Sequence, residues 1–229
     1  MESYSILCKV LIAVIYGSVL GIITVPLSKK LAQTRTDDPG VLAPLNRAYI
    51  RIGIAALGYI ACAAVVFTAE DYALLIRNLL FLIPIFSLSV VDALVRKIPN
   101  PLLLSMLVIE AAYAVYHCIS TKSVDILPGM FVGFLLGMIV CFIPSLLKIP
   151  MGAGDIKYSG VIGISLYAAG YFQSMLFMAL FVSLAYLYLK VSKKGGMKTL
   201  IPMGPFLSIG VVISMCFSIF DILNFNSVI

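Results

Sequence analysis

Tryptophan is absent from this 229-residue chain, and histidine occurs once, as His117. One imidazole cannot build a histidine-rich metal site, and it argues against a histidine-based triad. His117 is expected near the outer face, far from the candidate chemistry. The five cysteines, Cys8, Cys62, Cys118, Cys141 and Cys216, form no C-x-x-C pair. They read as small apolar fillers, not as zinc ligands or disulfides. Charge is scarce too: 11% of residues are charged and only 10 are acidic. The net charge of +6 suggests contact with anionic lipid headgroups and not with nucleic acid. No basic region precedes the first apolar run, which starts after Glu2, so no cleavable signal peptide is expected.

Apolar residues fill the space that charge leaves. They make up 62% of the chain, and the mean hydropathy is +1.12. A soluble domain of this length cannot hide that much apolar surface. The fold class is therefore all-α: a polytopic helical membrane protein with about eight transmembrane helices and both termini outside.

The runs predict helices over 6–27, 49–67, 73–91, 102–119 and 126–147. Pro84 is expected to kink the third. Gly129, Gly133 and Gly137 recur every four residues in the fifth, a small-residue stripe suited to close helix packing. The stretch 156–189 is too long for one ordinary span. Gly170-Tyr171-Phe172-Gln173 offers a break, giving helix six over 156–169 and helix seven over 174–189. Pro202 and Pro205 suit the first turn of a last helix, 206–223. With this count, every basic residue except Lys9, Arg77 and Lys122 falls on one set of loops and flanks. The positive-inside rule puts that set in the cytoplasm.

Two carboxylates stand at span ends on that side. Asp92 closes the apolar run 79–91. Asp155 lies in the polar island Met151-Gly152-Ala153-Gly154-Asp155-Ile156-Lys157. A carboxylate beside a membrane-length segment is costly unless it is paired, hydrated or used. Gly152 and Gly154 remove side chains just before it, so another backbone can approach closely. Two carboxyls at close range share one proton. The ionised one can take a proton from water while the protonated one polarises a scissile carbonyl. The residues alone leave two readings open: a catalytic pair, or two solvated aspartates at helix ends. Lys157 could tune Asp155, though snorkelling to headgroups is the commoner use of such a lysine. A proton-coupled transporter would also use paired carboxylates, but it calls for charges near the midplane and an internal repeat. Neither is visible here. A catalytically silent membrane scaffold is a third class.

At these residues the chain resembles the type IV prepilin peptidases, GxGD-type aspartyl proteases with archaeal preflagellin peptidases as relatives. Three blocks carry the resemblance. Val91-Asp92-Ala93-Leu94-Val95-Arg96-Lys97-Ile98-Pro99-Asn100 looks like the family's aspartate followed by a hydrophobic-Pro-Asn end. Gly152-Ala153-Gly154-Asp155-Ile156-Lys157, followed by Gly160 and Gly163, is similar to its GxGD block. Pro202-Met203-Gly204-Pro205-Phe206-Leu207 is similar to a block before its last helix. Gly17-Ser18-Val19-Leu20 also looks like the start of the bacterial N-terminal helix.

The resemblance implies a single membrane domain, 1–229, with a peptidase core over 79–219. Asp92 and Asp155 are then the catalytic pair, and Gly152, Gly154, Lys157, Pro99, Pro202 and Gly204 shape the site. It implies a prepilin-like or pseudopilin-like precursor as partner, cut at the cytoplasmic face of the cell membrane between a short basic leader and an apolar helix. Such precursors belong to type IV pili and protein secretion. Longer relatives carry a cytoplasmic region with paired cysteines, associated with N-methylation of the new terminus. Here the matching loop, 28–47, is short and has no cysteine. The expectation is a peptidase without methyltransferase activity, zinc site or other cofactor. Lipid with anionic headgroups is the remaining partner.

Overall fold

The computed structural model describes residues 6–36, 38–69, 71–146, 152–192 and 202–219. Expectations at Asp37, Glu70, Leu147, Lys148, Met151 and Leu223, and for the basic loop at Lys193, Lys194, Gly195, Gly196 and Lys198, lie outside these residues. The described residues contain helices and no strand. They are α1 (Ile6–Gln33), a 3-10 turn (Pro39–Leu42), α2 (Ala43–Asn46), α3 (Ala48–Thr68) and α4 (Tyr72–Val95). Then follow α5 (Asn100–Thr121), α6 (Ile126–Leu146), α7 (Ala153–Val191) and α8 (Met203–Cys216). Six are long and apolar enough to cross a membrane, and α8 is a shorter apolar helix. The chain is an all-α polytopic membrane protein.

α4 is the central helix. In its most apolar stretch 61% of residues are buried, against 17% in α1. One side packs with α1 and α3 through Leu75, Leu79 and Leu82. The other side meets α5, α7 and α8 through Phe81, Ile85 and Leu88. Its ends are set locally. Asp71 caps the start by accepting N–H bonds from Ala73 and Leu74 at 3.2 and 3.3 Å. Arg96 ends it in the left-handed region at φ 53°. Pro99 then follows Ile98, and a residue before proline is biased away from helix. The helix therefore runs to Val95, past the expected end at Val91. Asp92 belongs to its last turn and not to a loop.

The first helix is also longer than expected. It includes Pro26 and continues to Gln33. Ser28, polar enough to read as loop, is buried and donates to the Ser87 carbonyl at 3.3 Å. The expected loop 28–47 is thus helix, then the 3-10 turn, then α2. The last helix starts at Met203 instead of 206, with Pro202 as its N-cap.

The break in the long run 156–189 is real but misplaced. The residues 170–173 are helical, and the departure falls at Tyr167, with φ 55° and ψ −173°. A straight helix of 39 residues would measure about 58 Å, roughly twice a hydrocarbon core. The chain instead folds back. The hydroxyls of Ser159 and Tyr171 meet at 2.6 Å although 12 residues separate them, a rise of about 18 Å along a straight helix. Two side chains of that size cannot close such a gap. Positive φ at a tyrosine is strained, at about 1–3 kcal/mol, and the glycine stripe of α6 holds it. A Cβ on Gly129 would lie 3.0 Å from the Tyr167 ring, and one on Gly133 would meet the Tyr167 Cα at 3.0 Å. A Cβ on Gly133 or Gly137 would run into the carbonyls of Gly163 and Ser159. The stripe packs α6 on the first arm of α7, as its spacing predicts. Gly170 was a misleading signal: glycine permits a turn, but packing places it.

At the end of α4 away from Asp92 a buried ion pair locks this arrangement. Arg77 of α4 lies 2.8 Å from Glu110 of α5, with the side chains 7% and 2% exposed. Arg77 also donates to Asn78 Oδ1 at 2.8 Å and to both the carbonyl and the hydroxyl of Ser165 on α7. The rings of Phe81 and Tyr113 flank its guanidinium at 5.7 and 5.5 Å. In sequence Arg77 reads as a loop-flank cation; in the fold it is a buried cross-link. Breaking one side of such a pair strands the other charge. R77M should therefore lower unfolding stability by about 3–5 kcal/mol. R77M/E110L should recover much of that loss. Denaturant midpoints in detergent measure both, and a single variant that unfolds with the wild type would show the pair to be neutral.

Candidate active site

Asp92 and Asp155 come together at the other end of the same two helices. Asp92 sits in the last turn of α4 and Asp155 in the first turn of α7. They lie close enough for their charges to act on each other. Asp92 is 5% exposed, whereas Asp155 is half-buried. Neither is on a loop, and neither is simply solvated.

Each carboxylate is held by a backbone amide that only a glycine could bring so near. Gly204, buried in the first turn of α8, donates its N–H to Asp92 Oδ2 at 2.9 Å. A Cβ on Gly204 would stand 2.7 Å from that oxygen and 2.9 Å from the Asp92 Cβ. Gly152 is the N-cap of α7, and its amide bonds to the Asp155 side chain. Asp155 reaches back from the third helical position, as the acid of a capping box does. A Cβ on Gly152 would lie 2.7 Å from Asp155 Oδ2. Both amides also sit at helix N-termini, where the backbone favours negative charge.

Gly154 does a different job. A Cβ there would fall 2.9 Å from the Ile98 Cβ. Its bareness lets the start of α7 press against the chain just after α4, and so brings Asp155 toward Asp92. All three sequence blocks are therefore in contact. Pro99, buried beside Ile98, is the N-cap of α5, and Pro202 is the N-cap of α8. Each stands at the start of its helix. Lys157 is exposed on α7.

Some neighbours carried no usable sequence signal. Tyr158 and Ser208 are buried and share a 2.8 Å hydrogen bond. Cys141 of α6 is buried within reach of Ser159, Tyr171 and the Asp155 charge. Tyrosine and serine in an apolar run are common enough to pass as packing. Only the fold brings these partners together.

The arrangement offers two carboxyls at one end of the helix bundle, one buried and one partly open, each beside a backbone amide. It suits proton transfer to and from a water and a polarised carbonyl. Comparison with curated proteins and with solved structures gave no match. The family model described as the type IV leader peptidase family matches residues 79–191. The matched segment runs from α4 through α7 and holds both aspartates. Through it, the chain belongs to the type IV leader peptidase family.

Proposed function

We propose that this protein is an aspartyl endopeptidase that removes the short basic leader of prepilin-like precursors at the cytoplasmic face of the membrane. The observation that supports it most is the pair itself: Asp92 and Asp155, each bonded to a glycine amide, inside a segment that matches a peptidase family. In the reaction the pair holds one proton. The ionised carboxyl takes a proton from water, the water oxygen attacks the scissile carbonyl, and the other carboxyl donates to the carbonyl oxygen. Collapse then expels the amine, which takes the proton drawn from the water, while a hydroxyl of the diol returns its proton to the second carboxyl, so the pair again holds one. Two carboxyls and a water suffice for this cycle. A leader–helix junction fits the depth of the pair, because its bond emerges where the apolar segment meets the headgroups.

D92N and D155N should each lower the cleavage rate by about 10²–10⁴-fold while the protein stays folded and inserted. The assay is cleavage of a precursor with a basic leader by purified enzyme in detergent. Retained activity in either variant would remove that residue from the mechanism.

G204A should be impaired almost as much. Its new methyl would meet Asp92 itself, and the Asp92 carboxylate must leave its amide partner. G53A is the control, since nothing lies within 4 Å of a Cβ there; it should cleave at the wild-type rate. Equal rates for G204A and G53A would show that the amide contact is dispensable.

The mature product should carry a free amine, with or without S-adenosylmethionine. Intact mass of the processed substrate checks this. A methylated product would assign a second activity to the chain.

A further inference from the structure

We propose that Tyr158 and Ser208 are positioning residues for the aspartate pair: their hydrogen bond clasps α7 to α8 and thereby sets Asp92 against Asp155. The proposal rests on the catalytic reading given above.

The geometry is a chain of bonds from one aspartate's helix to the other aspartate's carboxylate. Tyr158 lies on α7 three residues after Asp155, on the same face of the helix. It is fully buried, and its hydroxyl meets Ser208 Oγ at 2.8 Å. Ser208, 4% exposed, donates to the Gly204 carbonyl at 2.8 Å. A serine hydroxyl has one proton. With that proton committed to Gly204, Tyr158 must be the donor to Ser208. Gly204 in turn gives its own N–H to Asp92 Oδ2 at 2.9 Å. The first turn of α8 is therefore gripped twice, by α7 through Tyr158 and by α4 through Asp92.

Packing alone does not require this. A phenylalanine would fill the space of Tyr158 without a hydroxyl to satisfy, and an alanine would suit the helix at Ser208. Tyr158 and Asp92 are also within electrostatic range of each other. If the clasp opens, α8 is free to shift along α7. The Gly204 amide moves with it, and the amide determines where the Asp92 oxygen points. Displacements of about 1 Å at reacting groups cost on the order of a hundredfold in rate.

The test uses the purified full chain in detergent and a synthetic precursor with a short basic leader before an apolar segment. kcat and KM are measured for wild type, D92N, S208A, Y158F, S208A/Y158F and S208T, each normalised to folded enzyme by its unfolding transition. S208A and Y158F should each lower kcat about ten- to a hundredfold with KM little changed. The double variant should be no worse than the worse single, because both cut the same chain. S208T, which keeps the hydroxyl, should recover most of the rate. Wild-type kcat in S208A, a loss confined to KM, multiplying losses in the double variant, or a loss matched by lost folded enzyme would each overturn the proposal. A wild type that does not cut the precursor, or a D92N that cuts it equally well, would instead sink the catalytic reading. The two failures are thus distinguishable.

Discussion

One hydrogen bond, from the Gly204 amide to Asp92, joins residues 112 positions apart. A buried carboxylate must find donors, because the cost of leaving it bare in a low-dielectric setting is several kcal/mol or more. The available donor is the start of a helix, where backbone N–H groups have no partner of their own. α8 is thus needed at that point, and its short apolar length is covered by α7 and α4. The absence of a Cβ at Gly204 is what allows the approach. The same solution appears at Asp155, whose donor is the N-cap of its own helix. Both aspartates therefore have a backbone amide beside them at a helix start.

Two helices that must hold their ends in register need a fixed point elsewhere. That point is the Arg77–Glu110 pair with Ser165. Arg77 and Asp92 share α4, while Ser165 and Asp155 share the first arm of α7. The two helices are tied at one end by a guanidinium and at the other by the glycine contacts. Between them lies an apolar layer of Ile85, Leu88, Ile162 and Val161. Such a layer resists sliding, because interiors pack at crystal-like density and do not deform smoothly. Tyr167 belongs to the same frame. Its strained turn returns the chain so that the second arm can back the first, through Ser159 and Tyr171.

The parts of this design that were legible in the sequence are those written in local chemistry. Length and hydropathy give the helices. The bare positions Gly152, Gly154 and Gly204 mark close approach, and the stripe Gly129, Gly133 and Gly137 marks a helix contact. Asp92 and Asp155 stand out because carboxylates are rare at span ends. What stayed hidden depends on partners distant in the chain. Arg77 near a helix start looks like an interfacial cation until Glu110 and Ser165 are beside it. Tyr158 and Ser208 look like filler until they meet. Sequence alone points to Gly170 as the hinge, because glycine is the residue that turns most freely. It formed at Tyr167 because the α6 glycines leave a groove there. Helix ends shifted for a simpler reason. Ser28 and Asp92 are polar, and polarity reads as the end of a helix, yet each is buried with a partner.

The two aspartates differ in access, and this bears on how a substrate would enter in the proposed reaction. Asp92 is 5% exposed and backed by α8. Asp155 is half-buried, and Gly152 and Ala153 beside it are exposed. The open side of the pair is therefore the start of α7. A peptide arriving there meets a stretch of backbone with almost no side chains, so its own backbone can come within bonding distance. A bulky residue at Gly152 would fill that entrance as well as displace Asp155. The glycines of this block thus serve two demands with one property. Their missing Cβ atoms let Asp155 fold back on its amide and let Ile98 press in, and among the described residues they leave the start of α7 bare. The match to the family ends before α8, yet α8 supplies the amide for the less accessible aspartate. The open half of the site lies inside the matched segment, and its closed half is completed by a helix beyond it.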